Sequence, residues 1–211
     1  MRAAVAIALV AACGRGHAEP AGPSPQTIAA DLPALCVTRG ALAVGADAAE
    51  ITEPTVRAVA PGTDGDHAAL AFTYRGPTDR AVALASGAVR QQLGLKLRAE
   101  DGCNLVYVMW RLAPKAELVV SVKRNPGAHD HRACGARGYV DVARVAAPAL
   151  RPGATAALAA AIDDDVLAVT IDGVEVWRGP LPADARTLRG PAGLRSDNVA
   201  WRARLQAPRA A

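Results

Sequence analysis

Aromatic side chains are scarce in this chain. Three Trp, three Tyr and one Phe make up 3% of its 211 residues. Any core must therefore be filled mainly by aliphatic groups. Charge of one sign is not concentrated either. The net charge of +4 is a mild excess spread along the chain, and it does not argue for a nucleic-acid partner. The longest apolar run is the opening Ala3–Ala12, which is too short to span a bilayer. The four cysteines contain no Cys-x-x-Cys pair, so the commonest structural zinc pattern is excluded. No Gly-x-Ser-x-Gly nucleophile elbow is present. Alanine is very frequent, and we read it as compositional bias rather than as a helix signal.

What is present begins at the N-terminus. Arg2, the apolar run and the small residues Ala11 and Ala12 stand before Cys13. A positive n-region, a short h-region and a small-residue cleavage site form a secretory signal. Val10-Ala11-Ala12-Cys13 resembles the bacterial lipobox, which implies cleavage before Cys13 and lipidation of that cysteine. Residues 1–12 are then signal peptide. Residues 13–26, rich in Gly, Pro and Ala, read as a flexible tether. The expected location is the cell envelope, lipid-anchored, at the outer membrane or the periplasmic face. The membrane is a partner only through that anchor.

Export favours disulfides. With Cys13 assigned to lipid, Cys36, Cys103 and Cys134 allow one bridge and one leftover. Cys103–Cys134 is the expected pair, because both stand at edges of strand-like runs. Cys36 is then left over, or paired to a partner.

From Thr27 to about residue 207 the chain alternates short β-rich runs with turn signals, ahead of a tail at 208–211. The clearest runs are AALAFTY at 68–74, LGLKLR at 93–98, LVYVMWRL at 105–112, LVVSVK at 118–123, GYVDV at 138–142, VLAVTI at 166–171, VEVW at 174–177 and AWRARL at 200–205. Asp163-Asp164-Asp165 and Asp172-Gly173 mark two hairpins. The three aspartates read as a charged turn, since no further ligands are spaced to complete an oxygen cage for calcium. Many strands at short spacing predict an all-β, antiparallel jelly-roll β-sandwich.

The region LAVTIDGVEVWRGPLP…GPAGLRSDNVAWRARL resembles the closing part of laminin-G-like and concanavalin-like jelly rolls. The residues carrying the likeness are Val169, Ile171, Asp172, Gly173, Val174, Gly190, Pro191, Gly193, Leu194, Arg195 and Trp201. The same region is similar to the jelly-roll domain of 3-keto-disaccharide hydrolase-like proteins. The middle block resembles secreted or lipid-anchored bacterial proteins, a likeness that implies no activity. Jelly rolls of these kinds serve lectins, hydrolases and adhesion modules alike, so fold alone does not choose among them.

Strand alternation supplies the candidate site. Lys96 and Arg98 share one face of their run, and Tyr107, Met109 and Arg111 share one face of theirs. Ser121 and Lys123 do the same on the third. If these strands are neighbours, Lys96, Arg98, Tyr107, Arg111 and Lys123 line one basic, aromatic-bearing concave surface. Such a face suits a glycan or an anionic polymer, with arginine reading carboxylate or sulfate. His129 and His131 flank Asp130 and would point to the same side of an extended segment, with His67 or Asp66 as further metal ligands. A pinned loop is the simpler expectation. Trp110 and Trp201 are assigned to the core, and Trp177 is the candidate exposed ring.

Catalysis finds no residues. The Glu-x-Asp-x-x-Glu of jelly-roll glucanases is absent, Glu100, Asp101 and Glu117 stand at strand ends, and Ser121 has no evident base. The expectation is non-catalytic binding, with a sugar-processing hydrolase or a structural or adhesion lipoprotein as alternatives. No cofactor is implied.

Overall fold

The computed structural model describes residues 34–211. The expected signal peptide and tether, with Cys13, lie outside the described residues. Fourteen strands are found among those described: β1 (Cys36–Arg39), β2 (Ala43–Val44), β3 (Ala49–Ile51), β4 (Thr55–Val59), β5 (His67–Pro77), β6 (Gln91–Leu97), β7 (Leu105–Ala113), β8 (Glu117–Lys123), β9 (Tyr139–Ala146), β10 (Thr155–Asp163), β11 (Val166–Ile171), β12 (Val174–Pro180), β13 (Gly193–Asp197) and β14 (Val199–Gln206). They form two seven-stranded antiparallel sheets. One runs β1-β4-β13-β6-β7-β8-β9 and the other β12-β11-β10-β5-β14-β3-β2. The chain is therefore an antiparallel jelly-roll β-sandwich, as its strand rhythm predicts.

Period-two alternation builds the core. Leu93, Leu95 and Leu97 of β6, Val106, Val108 and Trp110 of β7, and Leu118, Val120 and Val122 of β8 all face the second sheet. That sheet answers with Leu70 and Phe72 of β5, Leu158 of β10 and Trp201 of β14. The scarce rings are concentrated here. Phe72 meets Trp110 at 5.8 Å and Trp201 at 5.7 Å, both edge-on, the favoured geometry for ring quadrupoles. Trp110 donates from its indole N–H to the Pro148 carbonyl at 3.0 Å. Trp177 is half-buried and packs against the core from β12.

Cys103 and Cys134 are joined, with 5.9 Å between their Cα atoms. Cys36 is not left over: it is buried and also disulfide-bonded. The Cys103–Cys134 bridge closes the end of the β7–β8–β9 meander. The β8–β9 connection, expected as a loop throughout, holds one helical turn, α1 (His131–Cys134), capped by the Asp130 carboxylate on the Arg132 amide. His129 and His131 do not converge. His129 meets Asp101 at 2.8 Å, whereas His131 meets the Lys123 amine at 3.2 Å.

At the other end, residues 78–90 form a long connection between β5 and β6. Asn198 holds it in place. Its side-chain oxygen accepts from the Val82 amide at 2.7 Å, and its amide nitrogen donates to the Val82 and Arg90 carbonyls at 2.9 Å each. Asn198 adopts φ +56°, a conformation asparagine tolerates better than most residues.

Candidate functional site

The face of the first sheet turned away from the core carries its side chains in cross-strand rows. One row reads Thr55, Asp197, Gln92, Arg111 and Glu117. The next reads Arg57, Arg195, Gly94, Met109, Val119 and Arg144. A third reads Val59, Gly193, Lys96, Tyr107, Ser121 and Asp141. Gly94 leaves a gap in the floor between Arg195 and Met109. A Cβ there would stand 2.1 Å from the Val108 carbonyl oxygen, so β6 approaches β7 too closely for a side chain.

Over this floor lies a cleft of about 230 Å³. The 78–90 connection walls one end with Ala83, Leu84, Ala85 and Ser86. The disulfide-pinned segment walls the other with His131, Gly135 and Ala136. Six arginines border the cleft (Arg39, Arg57, Arg90, Arg111, Arg144 and Arg195) against two aspartates, Asp141 and Asp197.

Asp197 is fully buried and organises the floor. It accepts from Arg57 at 2.6 Å, from Arg195 at 2.8 Å and from the Gln92 amide at 2.7 Å. Burial pushes its carboxyl up, but Arg195 and Arg57 outweigh burial and hold it below its ordinary value. Arg195 then crosses the floor. Its guanidinium lies 4.7 Å from the centre of the Tyr107 ring and donates to the Tyr139 hydroxyl at 3.1 Å. Tyr107 and Tyr139 stack with centres 5.9 Å apart, and the Lys123 amine sits 5.1 Å from the Tyr139 ring. Cation, ring, ring and cation thus form a continuous ladder, each contact favoured by the ring quadrupole.

The five residues expected to share this surface are separated by the structure. Tyr107 and Arg111 border the cleft. Arg111 donates to Glu117 at 2.7 Å. Lys96 and Lys123 lie on the face that carries the cleft but are buried, at 3% and 0% exposure, and neither borders the cleft. Lys123 is caged by the disulfide segment, bonding the Gly102 carbonyl at 3.1 Å, the Gly135 carbonyl at 2.9 Å and the Cys134 sulfur at 3.0 Å. It holds that wall in place. Lys96 has no hydrogen bond or ion pair among the described residues. Burial first, then Arg57 and Arg195, bring its amine down to about 7. Arg98 leaves the surface altogether. β6 ends at Leu97, and Arg98 adopts φ +46°, turning its side chain to Asp66, to Asp165 at 3.1 Å and to the Arg186 carbonyl at 3.3 Å. It pins turns of the second sheet.

The arginines that do border the cleft, with Asp197, Gln92 and Tyr139, were not among the expected residues. Arg57 sits on β4 and Arg195 on β13, strands without a clear hydrophobic rhythm. The readable signal was the likeness of the Gly190–Arg195 segment to other jelly rolls, which placed Arg195 beside a closing strand.

No protein-family model matches the chain, and no curated protein matches it in sequence. Its fold is similar to solved structures. The carbohydrate-binding module CBM66 from Bacillus subtilis is 12% identical, with 84% of this chain and 94% of that one covered and a TM-score of 0.59. The galectin LEC-6 of Caenorhabditis elegans is 10% identical, covering 74% of this chain and 95% of that one, with a TM-score of 0.46. The metal-free carbohydrate recognition domain of Emp46p is also 10% identical, with coverage of 83% and 88% and a TM-score of 0.46. The first of these carries the assignment of the fold.

Proposed function

We propose that this protein binds a glycan in the walled cleft on its concave sheet, without chemistry, while held at the cell envelope by a lipid on Cys13. The carrying observation is the cleft itself. It is closed at both ends, about 230 Å³ in volume, bordered by stacked tyrosines and by six arginines against two aspartates. Fixed guanidinium groups and rings are the usual means of reading hydroxylated, acidic ligands. The sandwich that CBM66 shares with this chain supports the same reading.

The carboxylates at the cleft support a binding role over hydrolysis. Asp197 is locked between two arginines, and Asp141 is paired with Arg144. Neither is placed to shuttle a proton to a glycosidic oxygen, and general acid–base cleavage needs a pair that can.

A glycan array probed with the protein tests the reading. Acidic glycans should be retained, and Tyr139→Ala should abolish retention while leaving the unfolding midpoint within a few degrees. Retention unaffected by Tyr139→Ala would place the ligand elsewhere. The anchor is tested separately. Lipidation consumes the Cys13 sulfur, and with Cys103 joined to Cys134 this chain holds no other cysteine for Cys36, so the anchored form requires the Cys36 disulfide to be made with a second chain. Mass spectrometry that recovers Cys13 in a disulfide refutes the anchor.

A further inference from the structure

The arginines around the cleft are not equally available. Arg57 spends its guanidinium on Asp197 and on the Val56 and Ser196 carbonyls. Arg144 spends its own on Asp141 and Glu117. Arg195 is tied to Asp197 and Tyr139. By contrast, the Arg39 and Arg90 side chains have no hydrogen bond or ion pair among the described residues; Arg39 is exposed on β1 and its charge acts on His131, at the disulfide-pinned end of the cleft. Arg111 gives one nitrogen to Glu117, while its Nε is buried without a partner. Burial first, and then the charge of Arg90, hold the Arg111 guanidinium below its ordinary value. Uncompensated positive charge therefore gathers where β6 begins, beneath the 78–90 wall.

A second orphan sits beside it. Gln92 is cross-strand neighbour to Arg111, only 2% exposed, and its Oε1 is buried with no partner. The orientation of this amide is fixed by chemistry. Asp197 is an ionised carboxylate held by two arginines and can only accept, so the Gln92 nitrogen must face it and the oxygen must face away. An orphaned donor and an orphaned acceptor thus stand on adjacent strands at the edge of one cleft. Buried polar groups without partners cost free energy, so the pair calls for a guest. A bare anion would answer Arg111 and Arg90 but not Gln92, which needs a donor.

We propose that the end of the cleft formed by Arg90, Arg111 and Gln92 is an acidic-sugar subsite, taking a uronate unit by its carboxylate and an adjoining hydroxyl. The carboxylate accepts from Arg111 Nε and the Arg90 guanidinium, and the hydroxyl donates to Gln92 Oε1. This deepens the glycan reading and rests on it. Ser86, on the 78–90 connection, also borders the cleft and offers a hydroxyl to the rest of the ring.

Calorimetric titration of the full chain with trigalacturonate and with its methyl ester provides the test. The ester keeps the shape and hydroxyls but loses the charge. The acid should bind at least about tenfold more tightly than the ester, the scale of one charge-assisted hydrogen bond. Arg90→Gln breaks no hydrogen bond or ion pair among the described residues and should weaken the acid about tenfold while leaving the ester unchanged. Gln92→Met should weaken acid and ester alike. A uronate lacking the neighbouring hydroxyl should reproduce that loss on the unaltered protein, which covers the case of a poorly folded variant. Inorganic sulfate, a pure acceptor, should compete poorly. Equal binding of acid and ester, or equal losses for both with Arg90→Gln, overturns the subsite while leaving glycan binding intact. Absence of binding by any acidic or neutral saccharide overturns both.

Discussion

Lys96 offers a direct test of how the concave floor is held together. The residue is 3% exposed, and its amine has no hydrogen bond or ion pair among the described residues. It lies in the row between Gly193 and Tyr107, and the nearby charges of Arg57 and Arg195 oppose its own. Burial and those two guanidiniums lower it from 10.5 to about 7. The difference corresponds to about 5 kcal/mol of discrimination against the charged form. The sign follows from proton counting. Between pH 7 and 10.5 the unfolded chain holds this proton and the folded chain does not, so stability rises with pH across that window. Below pH 7 both states are charged, and the full cost of the buried ammonium is felt.

Lys96→Met keeps a similar unbranched stem and removes the charge. At pH 6.5 the variant should be more stable than the parent by a few kcal/mol. That advantage should shrink by about 1.4 kcal/mol per pH unit from pH 7 to 9.5. Lys123, lowered to about 8 chiefly by burial, adds a slope of the same sign, but it is present in both proteins and cancels in the difference. Tyr139, pushed up to about 12 by burial and Tyr107, acts in the opposite sense only above pH 10, outside the window. Urea titrations at pH 6.5, 8.0 and 9.5 give the comparison. A variant less stable than the parent at pH 6.5 would refute the reasoning. So would an advantage that does not change with pH, since the amine would then be paired or hydrated in the folded protein.

Asp197→Asn should destabilise the fold by about 3–5 kcal/mol, the range for breaking a buried ion pair from one side, because Arg57 and Arg195 lose their shared negative charge and one of the two carboxylate oxygens becomes a donor; thermal unfolding reads it directly. Asn198→Ala should leave the core melting temperature little changed relative to that variant, yet speed hydrogen exchange at the Val82 amide, whose acceptor is the Asn198 side chain. His67 sits between Asp64 and Asp163, and the Asp64 hydrogen bond, against a smaller opposing effect of burial, raises it above 6.5. Its NMR titration midpoint should fall on Asp64→Asn. The stability it contributes should be present at low pH and fade as pH rises through its folded midpoint.

The strands that could be read from sequence are those whose two faces differ. β7 and β8 alternate core aliphatics with Tyr107, Met109 and Arg111, or with Ser121 and Lys123, and the structure places each set on the expected side. β5, β11 and β14 follow the same logic, and the Cys103–Cys134 pairing followed from strand edges. β4 and β13 escaped that logic. β13 reads Gly-Leu-Arg-Ser-Asp, and every one of its residues is buried. A central strand with Arg195, Ser196 and Asp197 inside looks like a turn when burial is inferred from hydrophobicity, and Asn198 after it strengthens the illusion.

That failure has a physical cause tied to the site. A core face is legible because water expulsion alone selects its residues. The floor of a polar cleft is selected by pairing, and pairing partners are distant in sequence. Arg57 meets Asp197 across 140 positions, and Gln92 meets it across 105. Arg98 shows the converse error. Alternation placed it beside Lys96, but alternation ends where the strand does, and one residue at positive φ redirected its charge to Asp66 and Asp165. Charge counted along strands therefore overstated the part played by the lysines. The charge that matters at the cleft is what remains after each arginine's hydrogen bonds are subtracted; this leaves Arg39 at the disulfide-pinned end and, beside Gln92 at the other, Arg90 and the Nε of Arg111 as the unspent groups.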